Sequence, residues 1–209
     1  MKMKGNTMKK YELIESDKAS PRGMPLFQVV ALRDFGLVRT GDTGGYIESE
    51  ANLSHNGDCW VLDNAQVSGT ALVYGDAWVY DNARVSGDAR VYGDARVSGD
   101  ALVSGNALVS DNALVSGTAR VYDNARVYGD ALVFGTARVY DNAQVSGDAR
   151  VYDNAQVSGD AREAEVHDGS EVSTTREVCD HADRTSYAYS DEYYVDMGYR
   201  YCPKCGEKL

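Results

Sequence analysis

Between Val61 and Arg162 apolar and polar positions recur in a frame six residues long. Seventeen consecutive hexads open with valine, Val61 to Val157, and each has alanine four residues later, Ala65 to Ala161. In Ala83-Arg84-Val85-Ser86-Gly87-Asp88, alternation turns Ala83 and Val85 to one face of a short strand and Arg84 and Ser86 to the other. The pair closing each hexad is Gly-Asp, Asp-Asn, Gly-Thr or Gly-Asn, types that take left-handed or turn backbone cheaply. The chain therefore makes a strand and a corner every six residues. That density of glycine and asparagine excludes helix, and hairpins would need strands of opposite direction. The economical solution is three hexads per coil, each strand bonded to its equivalent eighteen residues away. The predicted fold class is all-β: a single-stranded triangular parallel β-solenoid of five to six coils, roughly 27 Å long at ~4.8 Å per strand.

A period of eighteen sorts the outward residues into three faces. The first carries Trp60, Leu62, Trp78, Tyr80, Leu114, Leu132, Phe134 and Tyr152. The second carries mostly Gln66, Ser68, Arg84, Ser86, Arg120, Arg138, Gln156 and Ser158, and the third mixes Leu72, Tyr74, Arg90, Tyr92, Leu108, Arg126 and Tyr128. An exposed apolar strip like the first is normally covered. It is read as an interaction face that packs on a second chain, as a homotrimer or dimer, or on the terminal segments. Corner aspartates Asp76, Asp88, Asp94, Asp100, Asp130 and Asp148 are expected to cap turns through the backbone rather than bind cations. The interleaved arginines are expected to neutralise part of that charge across coils.

The flanks are less regular. Residues 1–46 read as an N-terminal tail and β cap, 47–178 as the solenoid and 179–209 as a C-terminal module. Residues 1–10 are expected to be mobile. Strands are expected at Tyr11–Ile14 and Phe27–Phe35, a turn at Ser20–Gly23 and a tight hairpin turn at Gly41–Gly45. The hexad frame is already present at Ile47, Ala51 and Leu53, then slips by two residues before Val61, within Ser54–Asp58. Cys59 takes an alanine position and reads as a small core residue. At the far end Glu163 stands where valine is due, and Val166 follows three residues later. Glu163-Ala164-Glu165 is read as a small bulge or loop.

Charge and cysteines narrow the chemistry. A net charge of −11 and a pI near 4.7 argue against direct nucleic-acid binding, which needs a basic surface. No apolar run reaches the ~18–20 residues of a membrane span. The basic start is followed by Y-E-L-I-E-S-D rather than an apolar stretch, so it does not read as a secretory signal; Met8 is an alternative start. The expected compartment is the cytoplasm, with reduced thiols.

In the tail, Cys202-Pro-Lys-Cys205-Gly206 makes a knuckle that aims two thiolates at one point. With Cys179 and His181 it would complete a tetrahedral Cys₃His site for a structural Zn²⁺. It looks like half a zinc ribbon, although Cys179-x-His181 departs from the commoner C-x-x-C spacing.

The words Val29-Val-Ala-Leu-Arg-Asp-Phe35, Gly41-Asp-Thr-Gly-Gly-Tyr-Ile47 and Gly57-Asp-Cys-Trp-Val61 resemble the opening of the YdcK-like family of bacterial and phage hexapeptide-repeat proteins. The resemblance implies a left-handed β-helix with an N-terminal β cap; it brings no established activity, no catalytic residues and no account of the tail. Hexapeptide β-helices are best known as acyltransferases using a histidine base near a projecting loop. The regular repeat holds neither, and His55, in the small insertion, is the one reasonable candidate. The leading expectation is a non-enzymatic scaffold presenting flat faces to a protein partner or to itself. The alternatives are an acyltransferase-like enzyme, or a phage inhibitor of a host protein in the host cytoplasm, in the extreme an acidic DNA mimic.

Overall fold

A computed structural model describes residues 9–159, 161–166 and 171–174. The chain divides into two compact units, 1–173 and 174–209. The second lies outside the described residues except for Thr174.

The hexads fold as their pattern dictates. Each forms a two-residue strand, such as Arg84–Val85 or Leu102–Val103, and parallel pairing joins positions eighteen apart: Val67 to Val85, Val85 to Val103, Val103 to Val121. The first and third columns run in the same way from Val61 to Val79 and from Val73 to Val91. Three faces result, and the fold is a parallel β-solenoid. Every hexad valine from Val61 to Val157 is fully buried, as are the alanines beside them. Each buried valine stabilises the stack by ~1.5–3 kcal/mol.

Corners explain the choice between Gly-x and Asp-Asn. At all seventeen, from Asp63 to Gly159, the third residue of the hexad has positive φ. Glycine fills most of them, and aspartate the other six at φ 54–59°. Aspartate is among the few L-residues that enter this region at modest cost. In most hexads three amides enter the ladder to the next coil, as Asn64 N to Asp81 O, Gln66 N to Ala83 O and Ser68 N to Val85 O. The corner amide is left over. Aspartate supplies its acceptor one coil away: Asp81 Oδ2 takes the Gly99 N–H at 2.9 Å, and Asp63, Asp111 and Asp141 do the same for Asp81, Gly129 and Gly159.

The expected capping aspartates behave differently. Asp76 accepts the Asp58 N–H one coil back, whereas Asp100 and Asp130 accept side-chain amides of Asn82 and Asn112, and Asp88 meets the Thr70 hydroxyl. These are rungs between coils rather than caps within a turn, because stacking puts equivalent corners side by side. The expected arginine pairing is absent too. Among the described residues the only ion pairs join Glu50 to Lys9 and to His55. Arginines stand on the flat faces and the acids at the edges.

The N-terminal cap is an antiparallel meander of β1 (Tyr11–Ala19), β2 (Pro25–Ala31) and β3 (Thr43–Ile47). Its last strand joins the solenoid in parallel, Ile47 opposite Val67, twenty residues apart because of the insertion. The glycine cluster splits between two tasks. Gly41, at φ +89°, makes the turn, whereas Gly44 and Gly45 lie in β3. A side chain on Gly44 would strike Val29, Trp60 and the Val61 carbonyl, and one on Gly45 the Ala65 carbonyl at 2.7 Å. The cap seats on the first coil through bare backbone.

At the other end the expected bulge is a shortened coil. Val145 pairs with Glu163 at the regular eighteen, but Val151 pairs with Val166 at fifteen. Val166 comes three residues early because one corner interval is compressed.

Candidate functional site

Sorting by face places the proposed strip on the structure with two changes. Trp60 is fully buried: Tyr11 and Phe35 meet it edge-on at 6.2 and 5.2 Å. It belongs to the cap interface, because the N-terminal segment covers that end of the face. The strip is also broken. Register places Arg96 between Trp78 and Leu114, and Arg150 beyond Leu132. Trp78, Leu62 and Tyr80 form one half-buried group near the cap, and Leu114, Leu132, Phe134 and Tyr152 form a second. Phe134 and Tyr152 stack at 5.1 Å and 5°. The apolar side chains that stand clear in solvent are instead in the cap, Leu37 above all at 82% exposure.

The densest polar chemistry lies under the cap. The mobile reading of residues 1–10 fails at Lys10, whose side chain is wholly buried. Its ammonium donates to the carbonyls of Cys59 (2.8 Å) and Gly57 (3.3 Å), lies 3.2 Å from Cys59 Sγ, and sits 4.8 Å from the Phe35 ring centre. Burial lowers the Lys10 pKa and raises that of Cys59, since the charged form of each loses hydration. A raised thiol pKa leaves little nucleophilic thiolate. Cys59 is the small core residue its alanine position implied.

His55 is tied at both nitrogens. The Lys10 backbone N–H donates to Nδ1 at 3.2 Å, so the ring proton sits on Nε2 and is donated to Glu50 Oε1 at 2.8 Å. Tyr11 stacks on the ring at 4.3 Å, and its hydroxyl donates to the Leu53 and Glu50 carbonyls. Burial raises the Tyr11 pKa. This arrangement latches the cap to the insertion, and neither imidazole nitrogen is free to take a substrate proton. Beside it, Trp60 Nε1 is the one buried side-chain polar atom among the described residues with no hydrogen-bond partner.

Lys10 could not be found from sequence. It follows another lysine in a basic run, and nothing local marks it as the one that enters the core.

The four predicted zinc ligands, Cys179, His181, Cys202 and Cys205, lie outside the described residues. Within those residues no group of three or more His, Cys, Asp or Glu is placed to hold a metal ion. No described helix is long and apolar enough to cross a membrane.

Comparison with known proteins bears on the repeat itself. Residues 65–81, 77–93, 89–105, 95–111, 101–117, 119–135, 137–152 and 143–159 match the family described as the YdcK β-solenoid repeat. The matched stretches lie within residues 65–159 and make up less than half of the chain. A stretch of 74 residues is 35% identical to a protein of Escherichia coli (strain K12) named "Uncharacterized acetyltransferase YdcK". It covers 32% of this chain and 23% of that protein, so the likeness spans about a quarter of the relative's length. The stretches similar to that repeat carry the buried valine and alanine columns, and the latch around Lys10 lies outside them.

Proposed function

We propose that this chain is a non-enzymatic β-solenoid scaffold whose flat faces receive a protein partner or a second copy of itself. One observation carries the reading. From Val61 to Gly159 no hexad carries an inserted loop, so these coils raise no wall from which a closed substrate cleft is built. What they offer is rows of side chains at fixed spacing. The second apolar group, Leu114, Leu132, Phe134 and Tyr152, is the patch best suited to contact, being half-buried and prealigned, with Arg150 at its edge. Preorganised rows lose little conformational entropy on binding.

Sedimentation and affinity capture with the wild type and Phe134→Arg test this directly. The expected result is a complex or an oligomer that the wild type forms and Phe134→Arg loses. A chain that stays monomeric and retains no stoichiometric protein overturns the reading.

The printed name of the relative favours a second reading, acyl transfer; His55 could serve as its base only by releasing the Lys10 amide or Glu50. Acetyl-CoA turnover on an amine panel, abolished in His55→Ala, would establish it. A lasting thioester signal unchanged in His55→Ala would dismiss that base. For the tail, we infer a structural Zn²⁺ held by Cys179, His181, Cys202 and Cys205. Metal analysis of freshly purified protein should give one zinc per chain, and zinc-free protein refutes it.

A further inference from the structure

Tyrosines on the third face follow one another from coil to coil, with one gap. Tyr74 and Tyr92 stack at 4.8 Å and 5°. The next equivalent position is Ser110, and the one after it is Tyr128. Elsewhere on the solenoid, stacked rings keep the same geometry: Tyr122 on Tyr140 at 5.1 Å and 2°, Phe134 on Tyr152 at 5.1 Å and 5°. The strands of Tyr92 and Tyr128 lie two spacings, about 9.6 Å, apart, with a serine rather than a ring between them.

Beside that serine lies a half-open cavity of about 260 Å³ lined by Tyr92, Leu108, Ser110, Arg126, Tyr128 and Gln144. A cavity of roughly 150 Å³ suffices for a benzene ring. One contact supports each of its tyrosine walls. Tyr92 is backed by Tyr74, and the Tyr128 hydroxyl donates to Gln144 Oε1 at 3.4 Å. Ser110, only 3% exposed, lies beneath the neighbouring side chains, so a guest ring enters by parting Tyr92 from Tyr128. Register also places Leu108 between Arg90 and Arg126, and neither guanidinium forms an ion pair among the described residues. The one acid at the rim, Asp111, already accepts the Gly129 N–H.

We propose that the empty rung at Ser110 is a recognition slot for a single aromatic side chain of a protein partner, with Arg90 and Arg126 pairing an acidic group beside that ring. A guest ring would lie parallel to its neighbours at the 4.8–5.1 Å of the existing stacks, and so complete a ladder the chain itself has already built on both sides. Offset stacking of this kind is favourable beyond the area it buries, and the two guanidiniums supply charge-assisted hydrogen bonds to a carboxylate. The slot rests on the reading that the faces receive a protein partner, and it names the side-chain chemistry that partner would present.

The test titrates the full chain, with its tyrosines isotope-labelled, against N-acetyltyrosine, N-acetyltyrosinamide and N-acetylleucine, following the Tyr92 and Tyr128 ring resonances. N-acetyltyrosine should move both, the amide should bind roughly threefold or more weakly, and the leucine derivative should leave them in place. Ser110→Tyr, which fills the rung, should abolish the shifts. Tyr128→Ser, which puts a serine where many hexads have one, should fold normally and weaken binding roughly three- to tenfold. Equal shifts from the leucine derivative, or wild-type titration of either variant, overturn the slot. A partner that binds Ser110→Tyr as well as wild type also overturns it and leaves the scaffold reading standing. Probe binding by a chain that captures no partner upholds the slot and defeats that reading.

Discussion

The capped end and the middle of the solenoid solve the same problem by opposite means. Each must bury backbone amides and a narrow apolar column without a thick core. The middle does so by repetition: valine, alanine, one left-handed corner, and strand pairing in a register of eighteen. Its inward column is valine and alanine throughout, so no buried position dominates. The cap has no previous coil to lean on. It closes the first coil with large, unlike groups, Trp60, Tyr11, Phe35 and a buried Lys10, fitted against the bare backbone of Gly44 and Gly45. Repeat arrays need such a terminus, because an open first coil exposes its column to water. Stability is therefore spread evenly in the middle and concentrated at the end, and that difference is testable.

The largest effect is expected at Trp60. Removing its side chain leaves a void beneath Tyr11 and Phe35, and such truncations cost about 3–5 kcal/mol. Trp60→Ala should lower the urea midpoint sharply and speed hydrogen exchange in the coils next to the cap, while amides near Val121 change little. Trp60→Phe should cost much less, since it keeps most of the volume and removes the unpartnered indole N–H. Equal losses for the two would show that the ring's volume is not what closes the end.

In the middle the corners provide the sharper contrast. Gly93 has φ +69°, and a Cβ there would lie 2.8 Å from the Asp111 amide nitrogen. Gly93→Ala combines a disfavoured backbone with a clash and should cost about 2–3 kcal/mol. Asp81→Gly relieves the backbone at φ 59° and forfeits the bond to the Gly99 N–H, so its net effect should fall within about 1 kcal/mol of zero. Thermal melts of the two proteins check the ranking. A Gly93→Ala protein as stable as Asp81→Gly would mean that corner geometry is not limiting.

The same division governs what was legible in the sequence. Val61 to Val157 could be read directly, because a period of six with period-two alternation admits few backbones, and the eighteen-residue pairing follows from three strands per coil. The sorting into three faces came from the same arithmetic and holds in the register. Its energetic meaning did not follow. That Trp60 is buried while Trp78 stays half-exposed depends on where β1 and the Phe35 bend return over the first coil, a non-local contact that carries no periodic mark. Lys10 was illegible for the same reason. Val166 was ambiguous: a frame shift of three reads equally as an insertion or a shortened coil, and only the pairing with Val151 decides.

The smallest expected effect separates the two regions by pH. Lys9 Nζ at 2.7 Å, and then His55, hold the Glu50 carboxyl below its ordinary range. A depressed carboxyl pKa contributes stability that is present above the unfolded value near 4.5 and is lost as pH falls through the folded value. The Glu50 side chain is 45% exposed, so screening reduces the gain to a few tenths of a kcal/mol. Glu50→Gln should accordingly flatten the acid side of the stability profile between roughly pH 3 and 5 and loosen exchange at the Lys10 amide, whose acceptor His55 is steadied by Glu50. Corner amides such as Gly99, bonded within the repeat, should exchange as before. If Gly99 and Lys10 loosened together, the cap and the solenoid would be one cooperative unit rather than a bespoke end on a uniform array.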